Sequence, residues 1–407
     1  MEEEKNSIFW RDKREFLANI FLVVNPLVWY YTVLLSLQKN LDRISTNELT
    51  IFLIWCLHFV GLIFSALICA TLTKNIGRDQ LLRTWIVLGV FSSLTLSLIN
   101  TSSFFALSFL SILYGVVLGW GMPACMGHYT EVIPSEKRGR ASGLAMLATG
   151  IGIVTFGSIE ISDAVILGII LAIWRLSSLV ALRFFDIKVV PRKTSVSYMS
   201  LVKNRSFIIY FIPWVMFSLV NYLSMPLQLG LIVGGEQLVK ILLILQNGIM
   251  GIAAIAGGFL IDAVGRKRIA IAGFALIGLG SAVLGIYPKH ILSWYFSAIM
   301  DGVALGFLLV IFVLTIWGDL SFNTPSDKLY ALGVTPFFVS KFLELTVGES
   351  IVAGIEPYAL FSFTAFFLFL AVLPLVYAPE TLPEKHIRER ELKNYLEKAM
   401  REREKYV

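Results

Sequence analysis

Residues 50–73 read TIFLIWCLHFVGLIFSALICATLT, a run that contains no Asp, Glu, Lys or Arg. A helix of about 20 predominantly apolar residues, rising 1.5 Å per residue, crosses the ~30 Å hydrocarbon core of a bilayer. A membrane β-barrel would instead show segments of about ten residues with alternating hydrophobicity. The run therefore predicts a transmembrane helix.

The composition of the whole chain agrees with this stretch. Of 407 residues, 57% are hydrophobic and 15% are charged, whereas a soluble domain has about 25% charged residues. The mean hydropathy is +0.77. These values exclude a water-soluble enzyme, a disordered protein and a collagen-like rod. Because only helices and closed barrels satisfy their backbone hydrogen bonds in lipid, the long apolar runs predict an all-α integral membrane protein.

Twelve apolar runs follow one another along the chain, and we predict one transmembrane helix from each. Their approximate boundaries are 16–37, 50–73, 84–99, 103–126, 143–159, 163–182, 207–227, 238–261, 269–287, 291–317, 329–352 and 358–378. The three cysteines, Cys56, Cys69 and Cys125, all fall within these runs, so we expect no disulfide framework.

The distribution of basic residues orients these spans. With the N-terminus inside, the inner segments hold 28 of the 34 Lys and Arg residues and the outer loops hold 4. This bias follows the positive-inside rule, so we expect both termini in the cytoplasm and a multi-pass protein of the cell membrane. The net charge of +6 belongs to the same bias, and we expect the lipid bilayer, not nucleic acid, as the partner.

Loops in the two halves of the chain repeat at a nearly constant offset. Arg78 after the second run corresponds to Arg266 after the eighth, and each follows a glycine. Pro134 after the fourth run corresponds in the same way to Pro325 after the tenth. Such an internal duplication is common in transporters, which place their binding site between the repeats. The repeat predicts two pseudo-symmetric six-helix halves.

The same loops resemble the major facilitator superfamily. Residues 258–267, GFLIDAVGRK, are similar to its G-x-x-x-D-x-x-G-R-K/R loop. Residues 131–139, EVIPSEKRG, resemble the E-x-x-P-x-x-x-R-G loop of the sugar-porter and organic-ion branches, and residues 379–381, PET, resemble the sugar-porter motif after the last span. The resemblance covers most of the chain and implies an alternating-access transporter.

The domain boundaries that we predict follow from the twelve apolar runs. We expect an N-terminal bundle over 1–182, a cytoplasmic linker over 183–206, a C-terminal bundle over 207–378 and a charged cytoplasmic tail over 379–407. The chain departs from the family in several places. The first loop has Lys74 where an aspartate is usual, the fourth run lacks an arginine, and the first run carries no carboxylate.

Charged residues at the inner loops predict a gate. Opposite charges on neighbouring helices, paired when the cytoplasmic side is closed and separated when it opens, bias a rocking equilibrium between two bundles. The resemblance implies that Arg266 reaches Asp319 or Asp327, and that Arg78 and Arg138 meet Glu131. The alternative is a set of topology-determining surface charges of little energetic weight. The predicted gate residues are Gly77, Arg78, Glu131, Arg138, Asp262, Gly265, Arg266 and Asp319.

Four charged residues fall deep within the apolar runs, away from their ends, where each is costly. Asp301 is the candidate for binding a substrate cation or a coupling proton; its alternative is a structural hydrogen bond. Lys341 and Glu344 are three positions apart on one helix face, where they form an internal pair or contribute to the site. Arg175 is either a site for an anionic group or a side chain that snorkels to the interface.

Neutral polar residues add candidates for a binding surface, since amides and aromatics suit hydroxyl-rich substrates. Each has an alternative as a packing or kink residue. His58 and Gln246 are separated by the offset that relates Arg78 to Arg266, and so lie at equivalent depths. The candidates are Asn25, His58, Asn221, Tyr222, Gln246 and Asn247.

The sequence thus predicts a secondary active transporter for a small organic solute, a sugar or an organic ion, with the proton as coupling ion. A passive uniporter and a multidrug/proton antiporter are the alternatives. An enzyme or a channel is remote, because no catalytic, nucleotide-binding or Cys/His metal motif occurs. We expect a monomer without catalytic residues, cofactor or metal.

Overall fold

The computed structural model describes residues 2–44, 47–98, 103–158, 163–183, 196–231, 235–321, 324–347 and 355–382. Within these ranges, the side chains of 2–12, 43–44, 157–158, 222–231 and 235–236 are not described. The described residues form helices joined by short connections, without a strand.

The helices of the first half are α1 (Glu2–Ile44), α2 (Glu48–Ile76), α3 (Arg78–Leu94, continued by a 3-10 turn over Thr95–Leu98), α4 (Phe104–Val132), α5 (Ser135–Ser158) and α6 (Ala164–Leu182). A short helix, α7 (Tyr198–Val202), follows in the linker. The second half contains α8 (Arg205–Leu231), α9 (Gly235–Val264), α10 (Arg266–Ile286), α11 (Ile291–Leu309), α12 (Ile316–Asp319), α13 (Ser326–Gly333), α14 (Thr335–Thr346), α15 (Pro357–Leu370) and α16 (Val372–Val376).

Ten helical segments of the described chain are long and apolar enough to cross a membrane. They include all six runs of the first half, and the second half adds 237–264, 266–286, 291–319 and 357–376. Arg205–Asn221 is a shorter apolar helix. The prediction of an all-helical, multi-pass integral membrane protein is therefore confirmed, while the count of twelve spans stays a prediction.

Two spans are interrupted, which the apolar runs did not predict. Residues expected to form one helix over 329–352 divide into α13 and α14. Pro336 stands in the first turn of α14, where its missing N–H breaks no bond within that helix but prevents a continuous ladder from α13. Between α11 and α12, Val310–Thr315 winds as a π-helix, a local widening that often marks functional sites.

Close glycine contacts pair α2 with α4. A Cβ added at Gly115 would collide with the carbonyl of His58, and one at Gly119 would collide with the carbonyl of Leu62. The two glycines are four positions apart on α4, the small-xxx-small spacing that lets membrane helices approach through their backbones.

Close glycine contacts pair α9 with α11 in the same way. A Cβ at Gly302 would lie 2.8 Å from the carbonyl of Gln246, and one at Gly306 would lie 2.8 Å from the carbonyl of Met250. Gly302 and Gly306 follow Gly115 and Gly119 at nearly the offset that relates the loops of the two halves. The sequence repeat is thus matched by an equivalent helix pair in each half.

Helices α5 and α9 join the two halves at one end, which we call the gate end. A Cβ at Gly143 would collide with the carbonyl of Ala254. A Cβ at Gly139 would lie 2.5 Å from the carbonyl of Gly258. The backbones of the two helices are therefore in direct contact here.

Further along, the same two helices separate. A Cβ at Gly251 would still touch Leu147 at 3.1 Å, but neither Gly150 nor Gly248 has any described atom within 4 Å of such a Cβ. The pair is therefore closed at the gate end and open beyond Leu147 and Gly251.

Candidate functional site: a charge network and ionisable residues at membrane depth

Asp319 is the centre of a buried charge network at the gate end. It ends α12, and its Oδ2 accepts a hydrogen bond of 2.8 Å from Arg266 Nε at the start of α10. Its Oδ1 accepts from Nη1 of Arg138 on α5. The Asp319 and Arg266 side chains are fully buried and that of Arg138 is 6% exposed. One carboxylate thus holds two guanidinium groups, one from each half of the chain.

Backbone carbonyls at helix ends complete the coordination of both guanidinium groups. Arg138 Nη2 donates to the carbonyls of Thr130 at 2.8 Å and Ile133 at 3.1 Å. Arg266 donates to the carbonyl of Ile261 at 3.1 Å and, across to the first half, to that of Ser135. The loop resemblance implied that Arg138 contacts Glu131, whereas its guanidinium binds Asp319. The carbonyls that end α4 fix it in that position.

Asp262 ties the end of α9 to the beginning of α5. Its two carboxylate oxygens accept hydrogen bonds from the backbone N–H groups of Gly139 at 2.8 Å and Arg140 at 3.0 Å. Arg266 lies 3.4 Å from the same carboxylate. These bonds join the end of α9 to the second turn of α5.

Arg78 makes the second link between the halves. Its Nε and Nη2 donate to the two oxygens of Asp327 at 3.2 and 3.0 Å, and its Nη1 donates to Glu131 at 2.5 Å. The bidentate geometry is typical of strong Arg–carboxylate pairs. Asp327 is in the first turn of α13 and lies outside the spans; burial raises the pKa of its carboxyl group above the ordinary value, and the positive charge of Arg78 opposes that rise.

Glycines allow the chain to turn into the helices that carry both gate arginines. Gly77 has φ of 83° and Gly265 has φ of 111°, values that L-residues with a side chain rarely adopt. At Gly265 a Cβ would also collide with the Glu380 carboxylate. The two predicted gate glycines therefore serve as turn residues.

Glu380 belongs to the PET motif after the last apolar run, and the sequence alone assigned it no contact. Its Oε1 accepts from the backbone N–H of Arg266 at 2.9 Å, and its Oε2 accepts from that of Lys267 at 3.2 Å. The chain after the last span thus caps the helix that presents Arg266. The PET motif was the signal for this contact.

A hydroxyl chain that the sequence analysis missed also crosses between the halves. Thr315, in the π-helical segment, donates to Ser142 Oγ on α5 at 3.1 Å or to the Val310 carbonyl at 2.7 Å. Ser142 Oγ lies 2.9 Å from the Tyr129 hydroxyl. Lone Ser and Thr residues in apolar runs gave no sequence signal for this contact.

Arg175 is sealed within the first half. Its side chain is fully buried, and its Nη1 donates to Asn25 Oδ1 at 2.9 Å. Its guanidinium carbon lies 4.7 and 5.5 Å from the ring centroids of Trp85 and Trp29, a cation–π arrangement. A Cβ at Gly89 would collide with its Nε. The tight surroundings favour a structural cation over an anion site.

Asn25, the residue before Pro26 in α1, is held by α6. Its Nδ2 donates to the Trp174 carbonyl at 2.5 Å, and the Trp174 indole donates to the Asn25 carbonyl at 2.9 Å. Pro26 cannot donate to the Leu22 carbonyl one turn earlier, which instead lies 3.5 Å from the Cys125 thiol. Asn25 is therefore engaged with α6, next to the proline of α1.

His58 is fully buried, with both ring nitrogens bonded. Nδ1 lies 2.9 Å from the Ser111 carbonyl, and Nε2 lies 3.0 Å from the Tyr30 hydroxyl. Because a carbonyl only accepts, Nδ1 carries the proton and Nε2 accepts from Tyr30. This arrangement suits a neutral packing histidine.

Lys341 and Glu344 form the internal pair that their spacing predicted. Nζ and Oε1 are 2.7 Å apart, and the two side chains are 24% and 12% exposed. Phe342, between them in sequence, packs against Phe52 and Phe59 of α2. The pair therefore lies on a helix that adjoins the other half of the chain.

Asp301 is held differently from the acids of the gate. Its Oδ2 accepts from Ser297 on the preceding turn at 3.2 Å, while Oδ1 is buried and has no hydrogen-bond partner among the described residues. A Cβ at Gly280 of α10 would lie 3.1 Å from Oδ1. Asp301 therefore faces the interface of α10 and α11.

The amide candidates occupy α8 and α9. The Gln246 side chain is partly buried and that of Asn247 is exposed, with its amide donating to the Leu243 carbonyl at 2.8 Å. Asn221 is partly buried, and the side chain of Tyr222 lies outside the described residues. Among the described side chains, no group of three metal-ligating residues occurs.

Comparison with known proteins gives one partial likeness. The chain is 33% identical over 121 residues to "Sugar transporter ERD6-like 15" of Arabidopsis thaliana. The match covers 30% of this chain and spans about a quarter, 24%, of that relative. No family model matches the chain.

Proposed function

We propose that this protein is a secondary active transporter of the major facilitator type, which moves a small organic solute by alternating access. Its two six-helix bundles are residues 1–182 and 207–378, joined by the linker 183–206. The observation that carries the proposal is the course of α5 and α9. The two helices touch through Gly143 and Ala254 at the gate end and are separated at Gly150 and Gly248.

The charge network supports the same proposal because its ion pairs cross between the bundles. Arg138 reaches Asp319, and Arg78 reaches Asp327. These bonds stabilise the closed gate end, and the opposite conformation requires that they break. A two-state element with such differential contacts is what alternating access needs. The orientation of basic residues favours the gate end as the cytoplasmic side of the cell membrane, with both termini there.

The solute class we propose is a sugar. The partial likeness to a plant protein named as a sugar transporter supports it, as do the loop motifs of residues 131–139 and 379–381. Coupling to a cation gradient, the proton first, is the preferred mode, and a passive uniporter is the alternative. A multidrug antiporter and an enzyme are less well supported.

Counterflow in liposomes tests this function, because it detects a carrier whether or not transport is coupled. The purified full-length protein is reconstituted with an unlabelled hexose, pentose, organic cation or organic anion inside, and uptake of the labelled compound is followed. We expect transient uptake of at least one sugar above that of protein-free vesicles. Uptake of organic ions alone would overturn the sugar assignment, and no counterflow with any class would overturn the transporter proposal.

Gate closure is tested separately with paired cysteines. In a variant without native cysteines, Leu147→Cys with Gly251→Cys places two thiols at a contact of α5 with α9 where the new Cβ at Gly251 meets a side chain and not backbone. Gly150→Cys with Gly248→Cys provides the matched pair beyond it. Short bifunctional reagents are expected to link the first pair more readily in the absence of solute. Equal linking of both pairs would contradict the proposed closed gate.

A further inference from the structure

Among the acids that the structure describes at membrane depth and in the charge network, Asp301 differs by the absence of a cation beside it. Glu344 lies 2.7 Å from Lys341, and Asp319 and Asp262 are held by arginines. Asp301 has a hydroxyl on one oxygen and a buried, unpaired second oxygen. A charged carboxylate in this position is costly unless it binds a cation.

The surroundings of Asp301 supply no charge from any packed helix that the structure describes. On α10 the neighbour of Oδ1 is Gly280, and on its own helix the neighbour is Ser297. On the α9 side, the contacts of the adjacent Gly302 are the Gln246 carbonyl and Ile249. None of these described groups titrates, so the carboxyl group of Asp301 is the titratable group of this site.

Helix packing does not require a carboxylate at this position. The equivalent helix pair of the first half has the same glycine spacing. The offset from Gly115 to Gly302 makes Tyr114 the position in the first half that is equivalent to Asp301. Tyr114 is a neutral, fully buried residue on α4. The repeat therefore forms its glycine contact with or without an acid, which weakens a purely structural reason for Asp301.

Asp301 also lies on the span that carries the central acid of the gate. The segment 291–319 runs from the far end of the membrane to Asp319. Asp301 is about ten residues into it, roughly 15 Å along the axis at 1.5 Å per residue. Gly302, beside it, fixes the helix against α9. A change of charge at Asp301 therefore acts on a helix that both faces the other half and ends in the gate.

We propose that Asp301, beside the Ser297 hydroxyl, is the binding site for one monovalent cation, a proton or Na⁺, that couples to solute movement. The proposal rests on the transport function above. The cation enters from the open end, neutralises the carboxylate and leaves when the gate end opens. Lys341–Glu344, His58 and Arg175 are then not coupling sites, because Glu344 is paired with Lys341, both ring nitrogens of His58 are bonded, and Arg175 is itself a cation.

The first test needs no solute. The unfolding temperature of the full-length protein is measured in NaCl against choline chloride at one pH and ionic strength, and then over a pH series without Na⁺. A cation that binds the folded state raises apparent stability. We expect the wild type to be stabilised by Na⁺ or by lower pH, and Asp301→Asn to lose the larger part of that response.

Matched variants keep this test decisive. Asp163→Asn changes an exposed acid that caps α6, where Asn caps equally well, and should keep the wild-type response. Ser297→Ala removes a hydrogen bond that stabilises the charged carboxylate, so a proton should bind about tenfold more tightly, whereas Na⁺ should bind about tenfold more weakly because it loses an oxygen ligand. An Asp301→Asn protein with the wild-type response, or a wild type that responds to neither cation, would overturn the proposal. If Asp301→Asn does not fold, the Ser297→Ala shift decides.

Transport separates this inference from the function on which it rests. Asp163→Asn is expected to retain both counterflow and accumulation driven by a pH or Na⁺ gradient, whereas Asp301→Asn is expected to lose the accumulation. A wild type that shows counterflow but ignores both gradients overturns the coupling site alone. A wild type without counterflow overturns the transporter proposal.

Discussion

Arg266 and Asp319 form an ion pair with both side chains fully buried, and Arg78 and Glu131 form its partly exposed counterpart. The members of each pair are 53 residues apart, and the nearest N–O distances are 2.8 and 2.5 Å. In the second pair the side chains are 14% and 35% exposed. The equivalent ion pair is thus fully buried in the second half and partly exposed in the first.

The first prediction follows from this difference. Asp319→Asn leaves the buried guanidinium of Arg138 without its counter-charge and leaves Arg266 with only Asp262, 3.4 Å away, and should destabilise the protein by about 3–5 kcal/mol. Glu131→Gln, which removes an exposed partner, should cost about 1 kcal/mol or less. Thermal unfolding of the two variants and the wild type measures both. Equal losses would contradict the assignment of Asp319 as the centre of the network.

Glycine packing gives the second prediction. Gly115→Ala puts a methyl group on the His58 carbonyl and should cost roughly 1–3 kcal/mol by overpacking. Gly150→Ala, whose Cβ meets no described atom, should be neutral or stabilise by up to about 1 kcal/mol from helix propensity. The two unfolding temperatures are compared with that of the wild type. A loss at Gly150 as large as that at Gly115 would mean that α5 is packed there.

A double-mutant cycle tests the sealing of Arg175. Gly89→Ala should destabilise the wild type because the new methyl group meets the guanidinium. The same change should cost less in an Arg175→Ala background, with a coupling energy of about 0.5–3 kcal/mol. Stability of the four proteins in one detergent gives the cycle. Additive effects would show that Arg175 does not occupy the space above Gly89.

The pH dependence of stability should contain a contribution from Asp327. Burial raises the pKa of this carboxyl group above its ordinary value of 3.8, so the folded protein holds the proton more tightly than the unfolded chain. The resulting stabilisation is present at low pH and is lost as pH rises through the raised pKa. Asp327→Asn should lack this component. Unfolding temperatures of both proteins over a series above pH 3.8 test it, and parallel curves would contradict it.

Much of the fold could be read from hydrophobicity. The apolar runs predicted an all-helical membrane protein because lipid leaves a chain no other way to satisfy its backbone when the runs are this long. The break between Gly333 and Thr335 and the π-helical segment did not follow, since both depend on packing that a hydropathy average does not record. Pro336 was the local signal for the first of them.

The candidate site was predictable where charge spacing repeats. Arg266 lies on Asp319, one of the two acids that the loop resemblance offered it. The position of Arg138 was not predictable. The backbone carbonyls of Thr130 and Ile133 orient it, and because every residue has such a carbonyl, no sequence pattern indicates which ones it binds. The roles of Asp301 and Arg175 likewise depend on which neighbours surround each charge, and only the structure supplies those.

The contact of α5 with α9 has a kinetic consequence. Interlocking side chains must withdraw from one another before two helices part, and that withdrawal raises a barrier. Gly139 and Gly143 present bare backbone to Gly258 and Ala254, so these surfaces slide apart without it. Under the proposed alternating access, the rate of opening is then governed by the breaking of the polar bonds between the halves, those of Asp319, Asp262 and Arg78.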